Sequence, residues 1–117
     1  MSTDQFLAAA AKRKVRKATV SEADIENAFC AYAESRGCKA LKLIILNGRG
    51  FPDRTVMCGD GRLFFVEFKA PGKKITALQC TVRRVLESFG FTYRVCDQLG
   101  QAEAILDAFL DFRAEGR

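Results

Sequence analysis

The chain contains no histidine, and none of its five cysteines (Cys30, Cys38, Cys58, Cys80 and Cys96) forms a Cys-x-x-Cys pair. Both absences argue against a structural zinc site, which draws its ligands from paired thiolates and imidazoles. The cysteines are odd in number, widely spaced and mostly flanked by apolar residues, which suits reduced, packed thiols better than a disulfide framework. No apolar run approaches the roughly 18 residues that a membrane helix needs. The apolar stretch over 6–11 is short and precedes its basic neighbours, the reverse of a signal peptide. No Gly-Lys-Ser or Gly-Lys-Thr is present, so neither a nucleotide-phosphate cradle nor a nucleotide cofactor is indicated. These absences leave a soluble, intracellular protein in a reducing compartment, with no membrane partner.

In its 117 residues, 49% of them hydrophobic, there is material for one core and one domain. The net charge of +5 and pI near 9.1 say little by themselves, because many basic proteins bind nothing acidic. Their distribution says more. Lys12, Arg13, Lys14, Arg16 and Lys17 make a dense block within 1–20, which reads as a basic arm or helix ahead of a single domain over 21–117. Lys39, Lys42, Arg49, Arg54, Lys73, Lys74, Arg83 and Arg84 surround the middle of the chain, and a surface of that kind suits phosphates. Beyond Gly100 the balance turns acidic.

The hydrophobic periodicity lays out the elements. Ser21 and Asp24 are spaced as a capping box, and Ile25, Phe29, Tyr32 and Ala33 recur at helical spacing until Gly37. A short apolar segment over 41–46 fits a strand, and Asn47-Gly48-Arg49-Gly50 a loop. Strands over 55–58 and 62–70, joined by Gly59-Asp60-Gly61, read as a hairpin. A helix over 76–89 carries Leu78, Val82, Val85, Leu86 and Phe89 on one stripe and stops at Gly90. A strand over 91–95 and an amphipathic helix over 99–112, with Ile105, Leu106, Phe109 and Leu110 inward, complete the order α-β-β-β-α-β-α. The fold class is α/β, a mixed sheet flanked by helices.

One stretch breaks the pattern. Pro52-Asp53 is followed, thirteen residues later, by Glu67-Phe68-Lys69 at the end of the apolar run Leu63-Phe64-Phe65-Val66. Alternation puts Glu67 and Lys69 on one strand face about 7 Å apart, while Phe64, Val66 and Phe68 point the other way into a core. Clustered carboxylates weaken binding to a polyanion unless a divalent cation lies between them, and hard oxygens suit magnesium or manganese. Such an ion polarises a scissile phosphate and acidifies a bound water, with Lys69 placed to hold that water or offset developing charge. An ordinary strand-end salt bridge explains Glu67 and Lys69 equally well, so the residues alone leave both readings open.

The ordered set Ser21-Glu22-x-x-Ile25-Glu26, Gly50-Phe51-Pro52-Asp53, Phe65-Val66-Glu67-x-Lys69-Ala70-Pro71-Gly72-Lys73-Lys74 and Gln79 resembles the PD-(D/E)xK nuclease superfamily, and within it the VRR-NUC family of virus-type replication and repair nucleases. The similarity spans 21–93. It implies a restriction-endonuclease-like fold and Mg2+- or Mn2+-dependent hydrolysis of DNA phosphodiesters. In the small phage and bacterial members it implies action on branched DNA such as four-way (Holliday) junctions, often as homodimers, in the cytoplasm of a bacterium or phage-infected host. Restriction-type or exonuclease action on linear duplex, or a non-catalytic basic nucleic-acid-binding module, are the alternatives.

By that resemblance Asp53, Glu67 and Lys69 are the metal ligands and catalytic amine. Glu26 completes the acidic cluster, preferred to Glu22 because a first-turn carboxylate is already explained by the helix dipole. Glu26 is otherwise a solvated helix position. Gln79 reaches substrate or the metal's water shell, or else serves only the capping box Thr76-x-x-Gln79. Arg49, in its glycine-bounded loop, and Lys73 and Lys74, past Pro71-Gly72, are candidate phosphate contacts or merely solubilising. No basis for sequence-specific readout is visible.

Overall fold

In the computed structural model, residues 19–43 and 48–115 are described. The basic block expected to form an arm or helix lies largely outside them. Helix α1 (Glu22–Ser35) opens on the expected capping box: the Asp24 amide donates to Ser21 Oγ at 3.1 Å, and the Ser21 amide donates to Asp24 Oδ2 at 3.0 Å. Asp therefore serves where Glu is more usual. Ile25, Phe29 and Ala33, four residues apart, form its buried stripe.

Strand β1 (Lys39–Leu41) begins earlier than the apolar segment at 41–46, of which positions 44–46 lie outside the described residues. Its position follows from pairing rather than hydropathy, since Lys39 faces Met57 and Leu41 faces Thr55 of β2 (Arg54–Met57). After the Gly59-Asp60-Gly61 reversal, β3 (Leu63–Phe68) returns antiparallel to β2, and the expected hairpin is there. Helix α2 (Ala77–Ser88) then crosses to β4 (Thr92–Cys96), which lies parallel to β3, and α3 (Gln101–Glu115) follows. The strands stand in the order β1-β2-β3-β4. The sequence of elements is the α-β-β-β-α-β-α expected, with three helices flanking a mixed sheet.

The sheet divides the molecule into unequal halves. Val56, Phe64, Val66 and Phe68 point to one face and are fully buried there. Phe29 of α1 meets Phe64 and Phe68 edge-on, at centroid distances of 6.4 and 5.5 Å, and Phe109 of α3 lies 4.4 Å from Phe64. Asp107 joins the two helices by accepting from Tyr32 Oη at 2.9 Å and pairing with Arg36. On the other face Phe65 is flanked by Phe51 and Phe91, each with its centroid 5.4 Å away. Helix α2 covers this face loosely. It has no buried residue, and its stripe leaves Leu78, Val85 and the C-cap Phe89 exposed, the last at 74%. Phe112 is equally exposed, so not every phenylalanine is core.

Gly50 fixes how the loop before β2 meets α2. It adopts φ +79°, and a Cβ there would lie 2.8 Å from Leu78 Cγ. No helix among the described residues is long and apolar enough to cross a membrane. Phe29 is fully buried between α1 and the sheet. Truncation to Ala is expected to cost about 3–5 kcal/mol in urea unfolding, and a loss below about 1 kcal/mol would refute its place at the centre of the core.

Candidate active site

The β2–β3 register builds the site. Arg54 pairs with Val66 and Thr55 with Phe65, so one further step sets Asp53 opposite Glu67 on the face away from α1. Asp53 is held there by Phe68, whose amide donates to Asp53 Oδ2 at 2.8 Å. The side chain thus takes up a backbone donor at the end of the strand and is fixed in direction as a result.

Glu67 is only 3% exposed. Its Oε2 accepts from Gln79 Nε2 at 3.1 Å, while Oε1 is buried and has no hydrogen-bond donor among the described residues. Burial pushes the Glu67 carboxyl up to about 8, helped by hydrogen bonding to Asp53 and by the charge of Asp53 and, more weakly, of Glu22; Lys69 acts in the opposite sense. A hydrogen bond between two carboxyl groups exists only while one of them keeps a proton.

Gln79 forms the expected capping box and also contacts Glu67. Its Oε1 accepts from the Thr76 amide at 2.8 Å and its amide donates to Thr76 Oγ1 at 3.2 Å, completing the capping box of α2, while its Nε2 is directed to Glu67. The cap fixes the rotamer that makes the second contact possible. Lys69, half-buried, lies near enough for its charge to act on Glu67. Arg49, Lys73 and Lys74 are exposed, with Lys73 in a turn closed by its amide donating to Ala70 O at 3.0 Å.

The structure does not bring Glu26 to this group. Its carboxylate accepts from Arg54 Nε at 2.7 Å and lies 3.9 Å from Lys42 Nζ. Arg54 alternates with Thr55 and so belongs to the α1 face of β2, which turns Glu26 away from Glu67. The helix acid whose charge reaches Glu67 is Glu22, one turn earlier. Its first-turn position, sufficiently explained by the helix dipole, had hidden that relation.

Two further residues belong to this face: Tyr93, which carries no functional signal in the sequence, and Arg83, marked there only as one of the basic residues around the middle of the chain. Tyr93 sits in register beside Phe65, fully buried, with a hydroxyl that has no hydrogen-bond partner among the described residues. The Arg83 guanidinium, donating from Nε to Glu87 Oε1 at 3.2 Å, lies 5.2 Å from the Tyr93 ring centroid. Burial, then the charge of Glu67, pushes the Tyr93 phenol far up, so it remains a donor. Only the pairing of β3 with β4 marks Tyr93 as a neighbour of this site.

Among the described residues no three or more Asp, Glu, Cys or His side chains are gathered closely enough to hold an ion. What is assembled is narrower: two facing carboxylates, one of them buried with an oxygen that lacks a donor. This is hard-oxygen chemistry that suits a divalent cation.

No family model matches the chain. "Putative nuclease p44" of Acyrthosiphon pisum secondary endosymbiont phage 1 is 35% identical over 78 residues, 67% of this chain and 84% of that protein. A solved VRR_NUC domain superposes with a TM-score of 0.67 at 24% identity, over 74% of this chain and 94% of that domain.

The raised Glu67 carboxyl has a stability consequence. In the unfolded chain it ionises in the ordinary range, whereas folded it keeps its proton up to about 8. Between these values the unfolded state binds fewer protons, so stability falls as pH rises and levels off above about 8. Glu67→Gln is expected to flatten that fall and to melt higher than wild type at pH about 8 without metal, by roughly 4–8 °C per kcal/mol regained. A variant that melts lower there would reject the carboxylate pair as a source of strain.

Proposed function

The chain belongs to the VRR-NUC family of nucleases, and from that premise we propose that it is a divalent-metal-dependent, structure-selective DNA endonuclease of PD-(D/E)xK type, acting on branched DNA such as four-way junctions. The observation that carries this reading is the facing of Asp53 and Glu67 across β2 and β3, with Glu67 buried and one of its oxygens without a donor. A structural salt bridge does not need two carboxylates held against each other, and a polyanion-binding protein is handicapped by them unless a cation joins the group.

Asp53 and Glu67 are the residues that would hold Mg2+ or Mn2+, with Glu22 rather than Glu26 as the nearby helix acid. A bound divalent ion supplies positive charge to the scissile phosphate and lowers the pKa of a water. The chain's own residues supply orientation. The Phe68 amide fixes Asp53, and Gln79 fixes Glu67 through Oε2. Lys69 holds the attacking water or offsets charge that develops on the phosphate. Arg49, Lys73 and Lys74 reach flanking backbone phosphates, contacts that carry no base information and so favour recognition of DNA shape.

Four-way junctions present two equivalent strands, which calls for two sites related by a two-fold axis and hence a homodimer. The apolar side chains that α2 and its C-cap leave exposed, Leu78, Val85 and Phe89, supply surface for that pairing. Light scattering should return twice the monomer mass. A monomeric mass together with undiminished junction cleavage at high dilution would refute the dimer.

Labelled junction, flap and linear DNAs, incubated with magnesium, manganese or chelator, test the activity. Junctions are expected to be cut preferentially, and only with metal. Preferential cutting of linear duplex would replace the substrate reading, and no cutting at all would leave a binding module. Lys69→Ala should lower the rate roughly 10²–10³-fold while DNA binding stays measurable. Wild-type rates in the purified variant would remove Lys69 from the chemistry.

A further inference from the structure

Glu67 Oε1 is not the only buried polar atom on this face without a partner. The Tyr93 hydroxyl shares that condition, and the sheet brings the two residues together. Strand β4 runs parallel to β3 with Phe65 opposite Tyr93 and Glu67 opposite Val95, so Tyr93 and Glu67 project from the same face one diagonal step apart. A phenol has the length to span such a step. Among charged groups, Glu67 acts on the Tyr93 hydroxyl most strongly, followed by Arg83 and Asp53, with Cys80 of α2 contributing least.

Packing does not account for a tyrosine here. Phenylalanine would fill the same space beside Phe65 and under Arg83 without burying a hydroxyl. Buried polar groups in folded proteins are nearly always hydrogen-bonded, and where no protein atom serves, an ordered water shared between two of them is the usual solution. The two oxygens are also complementary. The phenol is a donor, and Oε1 is a carboxyl oxygen able to accept that has no hydrogen-bond partner among the described residues.

We propose that Tyr93 is a positioning residue of the nuclease site, its hydroxyl donating through one bridging water to Glu67 Oε1 while Gln79 holds Oε2. The inference rests on the nuclease reading of Glu67 and deepens it. Both oxygens of the buried carboxylate are then oriented, one from α2 and one from β4, and a carboxylate oxygen that accepts from water keeps a lone pair for a second partner. The Arg83 guanidinium lies over the Tyr93 ring, 5.2 Å from its centroid.

Tyr93→Phe in the full chain tests this, because it removes the hydroxyl and keeps the ring. Its thermal midpoint should equal or exceed that of wild type. Mn2+ binding, measured by calorimetry without DNA, should weaken roughly 10-fold, as when an outer partner of a metal ligand is lost. With DNA, kcat should fall while KM is unchanged, a split that general loosening of the fold would not give. A metal-free wild-type crystal structure should hold a water within hydrogen-bonding distance of both oxygens. Wild-type Mn2+ affinity and kcat in Tyr93→Phe, or no such water, would overturn the inference and leave the nuclease standing. If the wild-type chain itself neither binds Mn2+ nor cuts any DNA, the nuclease reading fails and this inference falls with it.

Discussion

Asp53 and Glu67 face each other across the β2–β3 ladder, and much of the molecule is arranged to keep them there. Like charges at this range repel, and burial of Glu67 sharpens the conflict because little water screens it. The arrangement persists because each acid is held from elsewhere. The Phe68 amide fixes Asp53, and the Gln79 side chain fixes Glu67. Gln79 can do this because the cap of α2 locks its own position, and α2 is in turn set against the Gly50 loop that delivers Asp53. The strained pair thus draws its geometry from a strand end, a helix start and a loop, three features that are local and cheap to form.

The two sheet faces divide labour. Phe29, Phe64, Phe68 and Phe109 interlock on one side with edge-on and tilted contacts, and most of the fully buried side chains lie there. That side supplies the stability that lets the other carry an unfavourable charge arrangement. Glu26 marks the boundary. It is ion-paired to Arg54 on the packed face and so contributes to fixing α1 on the sheet, while Glu22, one turn earlier, acts on the charged face. Helix α2 is the one described helix with no buried residue, and it bears Gln79 and Arg83.

Much of this was legible before any coordinates. Ser21 with Asp24 and Thr76 with Gln79 announced two helix starts, because a capping box is satisfied within four residues. Alternation through Leu63-Phe64-Phe65-Val66-Glu67 separated core face from charged face. Strand β1 was misplaced, since its three residues are chosen by pairing to β2 and the more apolar residues follow it. The Gln79 side chain serves its cap through the oxygen and reaches Glu67 through the nitrogen, a contact that only the docking of α2 on the sheet decides.

Local spacing set the order of the elements and most of their bounds, because period and capping act over a few residues, whereas Asp53, Glu67, Lys69 and Gln79 stand out as a candidate site only through the resemblance to a nuclease family. Which helix acid lies within electrostatic reach of Glu67, whether α2 buries its stripe, and that Tyr93 shares a sheet face with Glu67 were decided only when strands paired and helices docked. Those relations join positions dozens of residues apart through register and face. A one-residue change in either would reverse them without altering any local signal.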